Sequence, residues 1–559
     1  MSSNEDQLNR EIEILDSVAD KSPTVKAKAY VKLSGPGWLQ GAITLGGGSL
    51  AGALYLGTVS GYKLMWLQPL AMICGIIMLS AIAYVTLSTG QRPFGAINRG
   101  ISPLLGWSWL IATVMANIVW CMPQFNLGQA AVLQNLMGVT DAGNTAKAGV
   151  CLVFLVLALL VNKAYQSGSR GIATFERILK SMVAVIVISF FLVVITLTVK
   201  GAVPWGEIIG GFFPNFGYLF NPTPEYAPLI KASAHGDWWT EAIAGKQRDV
   251  IITAFGTAVG INMTFLLPYS MLRKKWGRKH RGLAIFDLSI GLLVPFVLAT
   301  GCVLIASASQ FHGSHDDILG EDGKPKTLAK GYYGAFSQHP ALTDLKDDAR
   351  KEAIDKLPEA DRHLGAMIVK RGNQELATTL KPLAGDFVAQ IIFGVGVVGM
   401  ALSTIIILML INGFTFQELL GKPGDKTAYM IGCLVSGIAG FFGPFIWKGD
   451  AAAALAIPTS VIGASLIPIA YFTFLLMMNS RSVLGEHRPS GGKRYMWNCL
   501  MIAATSIATF GTIWVLSNKA SAPGWKGMIP TVGLAFLGVL FVVGVISFII
   551  KEKQYSASK

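Results

Sequence analysis

Twelve stretches of this 559-residue sequence are apolar enough, and nearly long enough or longer, to cross a lipid bilayer as helices. Crossing takes about 20 mostly apolar residues, and the runs lie at 36–59, 63–89, 104–136, 147–165, 173–200, 250–272, 284–309, 386–417, 427–448, 452–478, 495–517 and 526–550. The remainder cannot cover a water-facing surface, since only 14% of residues are charged where a soluble domain carries about a quarter. The expected fold class is an all-α integral membrane protein, which excludes collagen, disorder and a disulfide scaffold. Six cysteines lie inside or at the ends of apolar runs without a CxxC pair, so neither a zinc site nor a disulfide framework follows.

A formal net charge of +14 would suggest nucleic acid in a soluble protein. Here the basic residues crowd the ends of the apolar runs. An even number of spans puts both termini on one side, and the loops of that side hold Arg92, Arg99, Lys163, Arg170, Arg177, Lys180, the run RKKWGRKH (273–280), Arg281, Arg481, Arg488, Lys493, Arg494, Lys551 and Lys553. The positive-inside rule then makes both termini cytoplasmic in a multi-pass protein of the cell membrane. The basic run reads as a topology determinant, so the expected partners are the lipid bilayer and a small solute or ion, with no nucleic acid.

The runs divide the chain into a cytoplasmic N-terminal tail (1–34), a first transmembrane part (35–309) with an external loop at 201–249, an extracytoplasmic insertion (310–385), a second transmembrane part (386–551) and a cytoplasmic tail (552–559). Within the insertion, DLKDDARKEAIDKL (344–357) spaces Leu345, Ala349, Ala353 and Leu357 helically, with Thr343 or Asp344 as N-cap, which predicts a small helical lid. His312, His315, Asp316 and Asp317 are metal-ligating types, but a solvated loop explains them as well and no metal site is assigned there.

Two spans carry residues that disfavour helix at mid-membrane depth. ITLGGGSLAGALYLG (43–57) holds Gly46, Gly47, Gly48 and Ser49; FGTAVGINMTFLLPYSML (255–272) holds Gly256, Gly260, Asn262, Met263 and Thr264 before Pro268. Interrupted helices five spans apart mark the inverted repeats that build a substrate site at the bilayer midplane and work by alternating access. The segments 46–49 and 260–264 are therefore expected to be non-helical and to face each other across a cavity. Gly46, Gly47, Gly48, Ser49, Gly260, Asn262, Met263 and Thr264 are the expected substrate-binding residues, with Gln124, Asn126, Ser403 and Thr404 as further candidates. Asn117, Gln129, Asn412, Thr459 and Ser460 are other polar residues inside spans, a class that also serves as interhelical hydrogen-bond glue.

The chain resembles the Nramp divalent-metal transporters. GPGWLQGAITLGGGSLAGALYLGTVSGYKLMW (35–66) is similar to their first span and its link to the second. Further similarity lies in FERILKSMVAVIVI (175–188), WGEIIGGFFPNFG (205–217) and LIPIAYFTFLLMMNSRSVLGE (466–486). The resemblance covers roughly 34–550 apart from the insertion. It implies a LeuT-like fold of about twelve transmembrane helices, two inverted five-helix repeats plus two extra helices, with helices 1 and 6 broken.

The same resemblance exposes departures at the functional motifs. Where the family carries Asp-Pro-Gly-Asn, this chain has Gly46, Gly47, Gly48 and Ser49. The family's Met-Pro-His falls at Met263 or Asn262, without the histidine, and these two are the only metal-binding candidates if a cation is bound. The third-span acids correspond to Met122 and Phe125, and the tenth-span glutamine to Val461. A dication stripped of water needs anionic oxygen or several strong dipoles, so tight transition-metal binding is not expected. Three functions remain open: cation transport through a remodelled, weak site; transport of a small anionic or polar organic solute at the Gly-rich break; and a non-transporting receptor or scaffold. No nucleophile with its base, cofactor loop or metal triad appears in any loop, so neither an enzyme nor a cofactor is expected.

Overall fold

The computed structural model describes residues 2–326, 331–342, 345, 347–446, 467–521 and 524–558. Nine helices among them are long and apolar enough to cross a membrane, and two bent pairs add one span each. That makes eleven, and a further helix pair, Gly236–Ala258 with Ile261–Arg273, falls on the sixth apolar run. This is a multi-pass membrane protein. Its first span is two half-helices, 1a (Pro36–Thr44) and 1b (Gly47–Ser60), bent by 54°. The sixth span likewise divides into 6a (Gly236–Ala258) and 6b (Ile261–Arg273).

Several boundaries differ from the expected ones. Half-helix 6a begins at Gly236, not near 250, because polar residues such as Asp237, Glu241 and Arg248 extend it out of the apolar run into the external cap. A helix over Asn373–Asp386 precedes the eighth span and is parted from it by a non-helical Gly385 (φ 79°), where the apolar run begins. The lid helix is Asp347–Asp355, and it buries Ile354 while Ala349 is exposed. Thr343 and Asp344 lie outside the described residues, as do Thr459, Ser460 and Val461 of the tenth span. The N-terminal segment contains two helices, Ser2–Ser17 and Pro23–Leu33.

Half-helix 1a touches the seventh span backbone to backbone. A Cβ on Gly37 would lie 2.2 Å from the Asp287 carbonyl oxygen, and one on Gly41 2.2 Å from that of Gly291. Two small residues four apart open this contact, as they do between lipid-embedded helices generally. The start of 1a is pinned as well: the amides of Gly35 and Gly37 donate to the buried Asp287 carboxylate at 3.1 and 2.7 Å. Lys180 donates to the Ser34 carbonyl, and Lys274 pairs with Glu176 at 3.1 Å beside them. A carboxylate at a helix N-terminus satisfies free amides and complements the dipole.

On the opposite face the cap has its own apolar core, including Tyr226, Trp239, Tyr332, Phe336, Leu364 and Met367. Its two ends are clamped by Arg371, which forms a two-pronged bond with Asp317 at 2.7 and 2.8 Å and donates to the Ala366, Met367 and Val369 carbonyls. The cap is fastened to 1b at three points. Tyr226 donates to the Val59 carbonyl at 3.0 Å, His312 Nδ1 lies 3.0 Å from the Thr58 carbonyl, and Tyr55 donates to the Ile368 carbonyl at 3.4 Å. His312 and Asp317 are thus engaged with protein partners, and no metal-binding cluster occurs among the described residues.

The Glu225 carboxyl, 3.2 Å from His312 Nε2, is held down at about 2 by its bond with that ring. Its folded value lies below the ordinary 4.5, so its stabilising contribution is complete above pH 4.5 and is lost as pH falls toward 2. Hydrogen exchange at Thr58–Ser60, corrected for intrinsic rates, is expected to stay flat from pH 7 to 5 and accelerate below 4.5. Glu225→Gln should abolish that step, and an unchanged step in the variant would contradict the assignment.

Candidate substrate site at the two helix breaks

Half-helix 1a ends inside the protein, so its last carbonyls need donors from elsewhere. The Gly41 carbonyl accepts from the Leu45 amide at 3.0 Å. Ser403 of the eighth span donates to the Ala42 carbonyl at 3.0 Å, and the Thr404 hydroxyl lies 3.5 Å from the carbonyls of Ala42 and Ile43. Ser49 reaches back across the break to the Thr44 carbonyl at 2.5 Å. Three hydroxyls therefore occupy the carbonyls that the break sets free.

The amides at the other side of the break are treated differently. Gly46 is extended, and helix 1b resumes at Gly47, whose amide donates to Gln124 Oε1 at 2.9 Å. The first intrahelical bond is Leu50 to Gly46 at 3.0 Å, which leaves the amides of Gly48 and Ser49 without an acceptor among the described residues. In the sixth span the interruption is Val259–Gly260. Met263 donates to the Gly260 carbonyl and to Asn262 Oδ1, while the amides of Ile261 and Asn262 have no described acceptor. Each set of free amides is the positive end of a helix dipole.

The third span holds the breaks together. Gln124 meets Gly47, and one turn earlier the Trp120 ring would lie 2.8 Å from a Cβ on Gly260. Neighbours one turn apart on a helix are about 5–6 Å from each other. Half-helix 1a also touches 6b directly: Gln40 Nε2 donates to the Met263 carbonyl at 3.3 Å, and Thr44 donates to the Met263 sulfur at 3.2 Å. Gln40 Oε1, in a fully buried residue, has no donor among the described residues.

The expected non-helical segments are thus too long. Residues 47–49 are the first turn of 1b and 261–264 the first turn of 6b; only Leu45–Gly46 and Val259–Gly260 interrupt the helices. A break needs two residues to redirect the chain, and the next residues resume helix with free amides. Gly46, Gly47, Gly48, Ser49, Gly260, Asn262, Met263, Gln124, Ser403 and Thr404 all lie at or against these breaks. Thr264 turns toward the third span, accepting from Trp109 Nε1 at 2.9 Å. Asn126 accepts from Gln129 of its own helix, with no recorded bond to either break. Gln40 and Thr44 went unread in the sequence, although two polar residues four apart in an apolar run were the available signal.

A model of the Nramp family, described as natural resistance-associated macrophage protein-like, matches residues 37–332 and 365–517. The chain belongs to the Nramp family. No curated protein matches it in sequence. The fold of this Nramp chain is similar to that of the Eremococcus coleocola manganese transporter in complex with an aromatic bis-isothiourea substituted compound, at 14% identity over 94% of this chain and 96% of that one, with a TM-score of 0.63. A mutant of the same transporter aligns at 13% identity over the same shares, with a TM-score of 0.54. The fold is accordingly the LeuT-like one that the sequence implies.

In this Nramp member the glycines at 46 and 47 have a packing reason. A Cβ at 46 would lie 2.6 Å from Thr404 Oγ1, and one at 47 would lie 2.9 Å from Leu127 Cδ2. Gly46→Ala is expected to lower stability by about 1–3 kcal/mol, the usual cost of overpacking. Adding Thr404→Ala should recover most of the loss in a thermal unfolding measurement. An unshifted melting temperature for Gly46→Ala would show that the approach is not tight.

Proposed function

We propose that this chain is an alternating-access secondary transporter for a small solute bearing an anionic or strongly polar oxygen group. One observation carries the reading: hydroxyls of Ser403, Thr404 and Ser49 occupy the carbonyls freed by 1a, whereas amides starting 1b and 6b have no acceptor among the described residues. Half-helix N-termini suit anionic substrate groups, and freed carbonyls suit cations. Gln40 Oε1 supplies a buried acceptor for a donor on the same solute. The proposed site is Gly46 to Ser49, Gly260, Asn262, Met263, Gln124 and Gln40, with Ser403 and Thr404 as its supports. Under the positive-inside rule the face carrying the termini and the 273–281 basic run is cytoplasmic, in a cell membrane.

A weakly held cation is the second reading, favoured by family membership and by Gln40 Oε1 lying with the Met263 sulfur at the break. The relative of known structure is named as a manganese transporter, yet Gly46 to Ser49 offer no anionic ligand. Uptake into proteoliposomes against a panel of carboxylates, amino acids and divalent metals separates these readings from each other and from a non-transporting receptor. A carboxylate or amino acid is expected to accumulate, with Gln40→Leu raising its KM about tenfold for the loss of a hydrogen bond worth roughly 1–1.5 kcal/mol. Accumulation of manganese alone would overturn the proposal.

Calorimetry should show no manganese heat at micromolar concentration. Gly46→Asp with Ser49→Asn supplies two oxygen donors, and Thr404→Ala opens the room that a side chain at 46 requires. This triple variant is expected to acquire measurable divalent-metal binding and to lose the natural solute. A folded variant with an ionised carboxylate and no metal binding would mean that the site geometry, as well as its chemistry, has left the family pattern.

A further inference from the structure

On the terminus-bearing face, away from the helix breaks, the loop joining the tenth and eleventh spans and the end of the twelfth helix enclose a cleft of about 520 Å³. Arg481, Arg488 and Arg494 line it with Tyr555, Ser490 and one acid, Glu486. Two guanidiniums are braced from behind: Arg488 Nη1 donates to the Asn479 carbonyl at 3.4 Å and Arg494 Nε to Asn479 Oδ1 at 3.2 Å. Their other N–H groups, and the whole Arg481 side chain, have no acceptor among the described residues. The nearby Glu552 is directed at loop backbone, accepting from the amides of Arg481 and Ser482 and from the Ser480 hydroxyl at 2.7–3.1 Å.

Three guanidiniums therefore face one lining carboxylate. Burial together with the charges of Arg494 and Arg481 pushes the Arg488 guanidinium below its ordinary value, and the opposing charge of Glu552 does not offset them. Positive-inside topology needs basic residues on this face, but it does not need three to converge on one cleft. A guanidinium's rigid fork of donors matches tetrahedral oxyanions, and braced forks lose little freedom on binding. The surroundings of the cleft are apolar: Tyr495 and Met496 in the first turns of the eleventh span are 75% and 50% exposed, and Ile549 and Ile550 in the twelfth helix are 46% and 49% exposed. Such exposed side chains border the headgroup layer, where basic pockets between spans take acidic lipid headgroups.

We propose that the cleft formed by Arg481, Arg488 and Arg494 binds a phosphate-bearing anion, its position favouring the headgroup of an anionic phospholipid over soluble phosphate. The site is independent of the transport substrate.

The test uses the full chain purified in neutral detergent. One arm measures retention of added phosphatidylglycerol and phosphatidylcholine by native mass spectrometry; the other measures thermal shift with inorganic phosphate. Phosphatidylglycerol is expected to be retained at least tenfold better than phosphatidylcholine. R481K/R488K/R494K keeps every charge, and hence the topology signal, while removing the forks; it should lower retention severalfold. R488Q/R494Q should abolish it, and Arg170→Gln, outside the cleft, should change nothing. A shift with phosphate that the Lys variant loses, without preference for phosphatidylglycerol, would assign the same site to soluble phosphate. Equal retention and equal phosphate response in the parent and the folded Lys variant would overturn the proposal, and that variant decides the matter if the Gln variant does not fold.

Discussion

A peptide group inside hydrocarbon has no water to turn to, and leaving it unpaired costs several kcal/mol. The break at Leu45–Gly46 exists only because neighbouring helices meet that demand. Ser403 and Thr404 on the eighth span and Ser49 across the break occupy the carbonyls of 1a, and Gln124 on the third span takes the Gly47 amide. These donors fix which spans surround the break. Close approach of Thr404 in turn excludes a side chain at 46, and Gly37, Gly41 and Gly291 let 1a sit against the seventh span without one. The centre of the fold is arranged around the hydrogen-bond needs of one interrupted helix.

On the proposed reading, the asymmetry of that arrangement is where this Nramp chain departs from the family pattern its sequence resembles. The motif Asp-Pro-Gly-Asn would present oxygens at the first break; Gly46, Gly47, Gly48 and Ser49 present amides, and the one side-chain oxygen among them, on Ser49, is used internally. Charge is absent from the break but not from the protein. Asp287, Glu176, Lys274 and Lys180 stand at the start of 1a, where they hold the half-helix in place. The acids have a structural task near the terminal face, and the midplane is left to neutral dipoles.

Much of this was legible in the sequence. Twelve apolar runs mark the spans, eleven of which pass by length and composition among the described residues, and the three glycines and the Gly-Ile-Asn-Met-Thr segment located both breaks, because glycine clusters in lipid are tolerated only where the helix is interrupted or closely packed. The exact extents were not legible: two residues suffice to redirect each chain, and Gly47 or Ile261 is as compatible with a first helical turn as with an unwound one. The spacing of Gln40 and Thr44 put two polar residues on one face of an apolar helix, but it could not show what that face meets; the importance of Gln40 lies in reaching Met263, 223 positions away. The start of 6a was missed for a different reason. Gly236–Ala258 leaves the apolar run without leaving the helix, and hydropathy marks the lipid boundary rather than the end of a helix.

That continuous helix has a mechanical meaning. Half-helix 6a is rooted in the cap, and Tyr226, His312 and Tyr55 tie 1b to the same body, so the cap-side halves of both interrupted spans are joined through it. In the proposed alternating-access cycle, opening on the cap side would carry the cap together with both half-helices, not two independent helix tips. The dipeptides Leu45–Gly46 and Val259–Gly260 would be the pivots of such a movement. Any rigid ligand that grips the cap alone gains leverage over both pivots at once, from a surface far from where the solute sits.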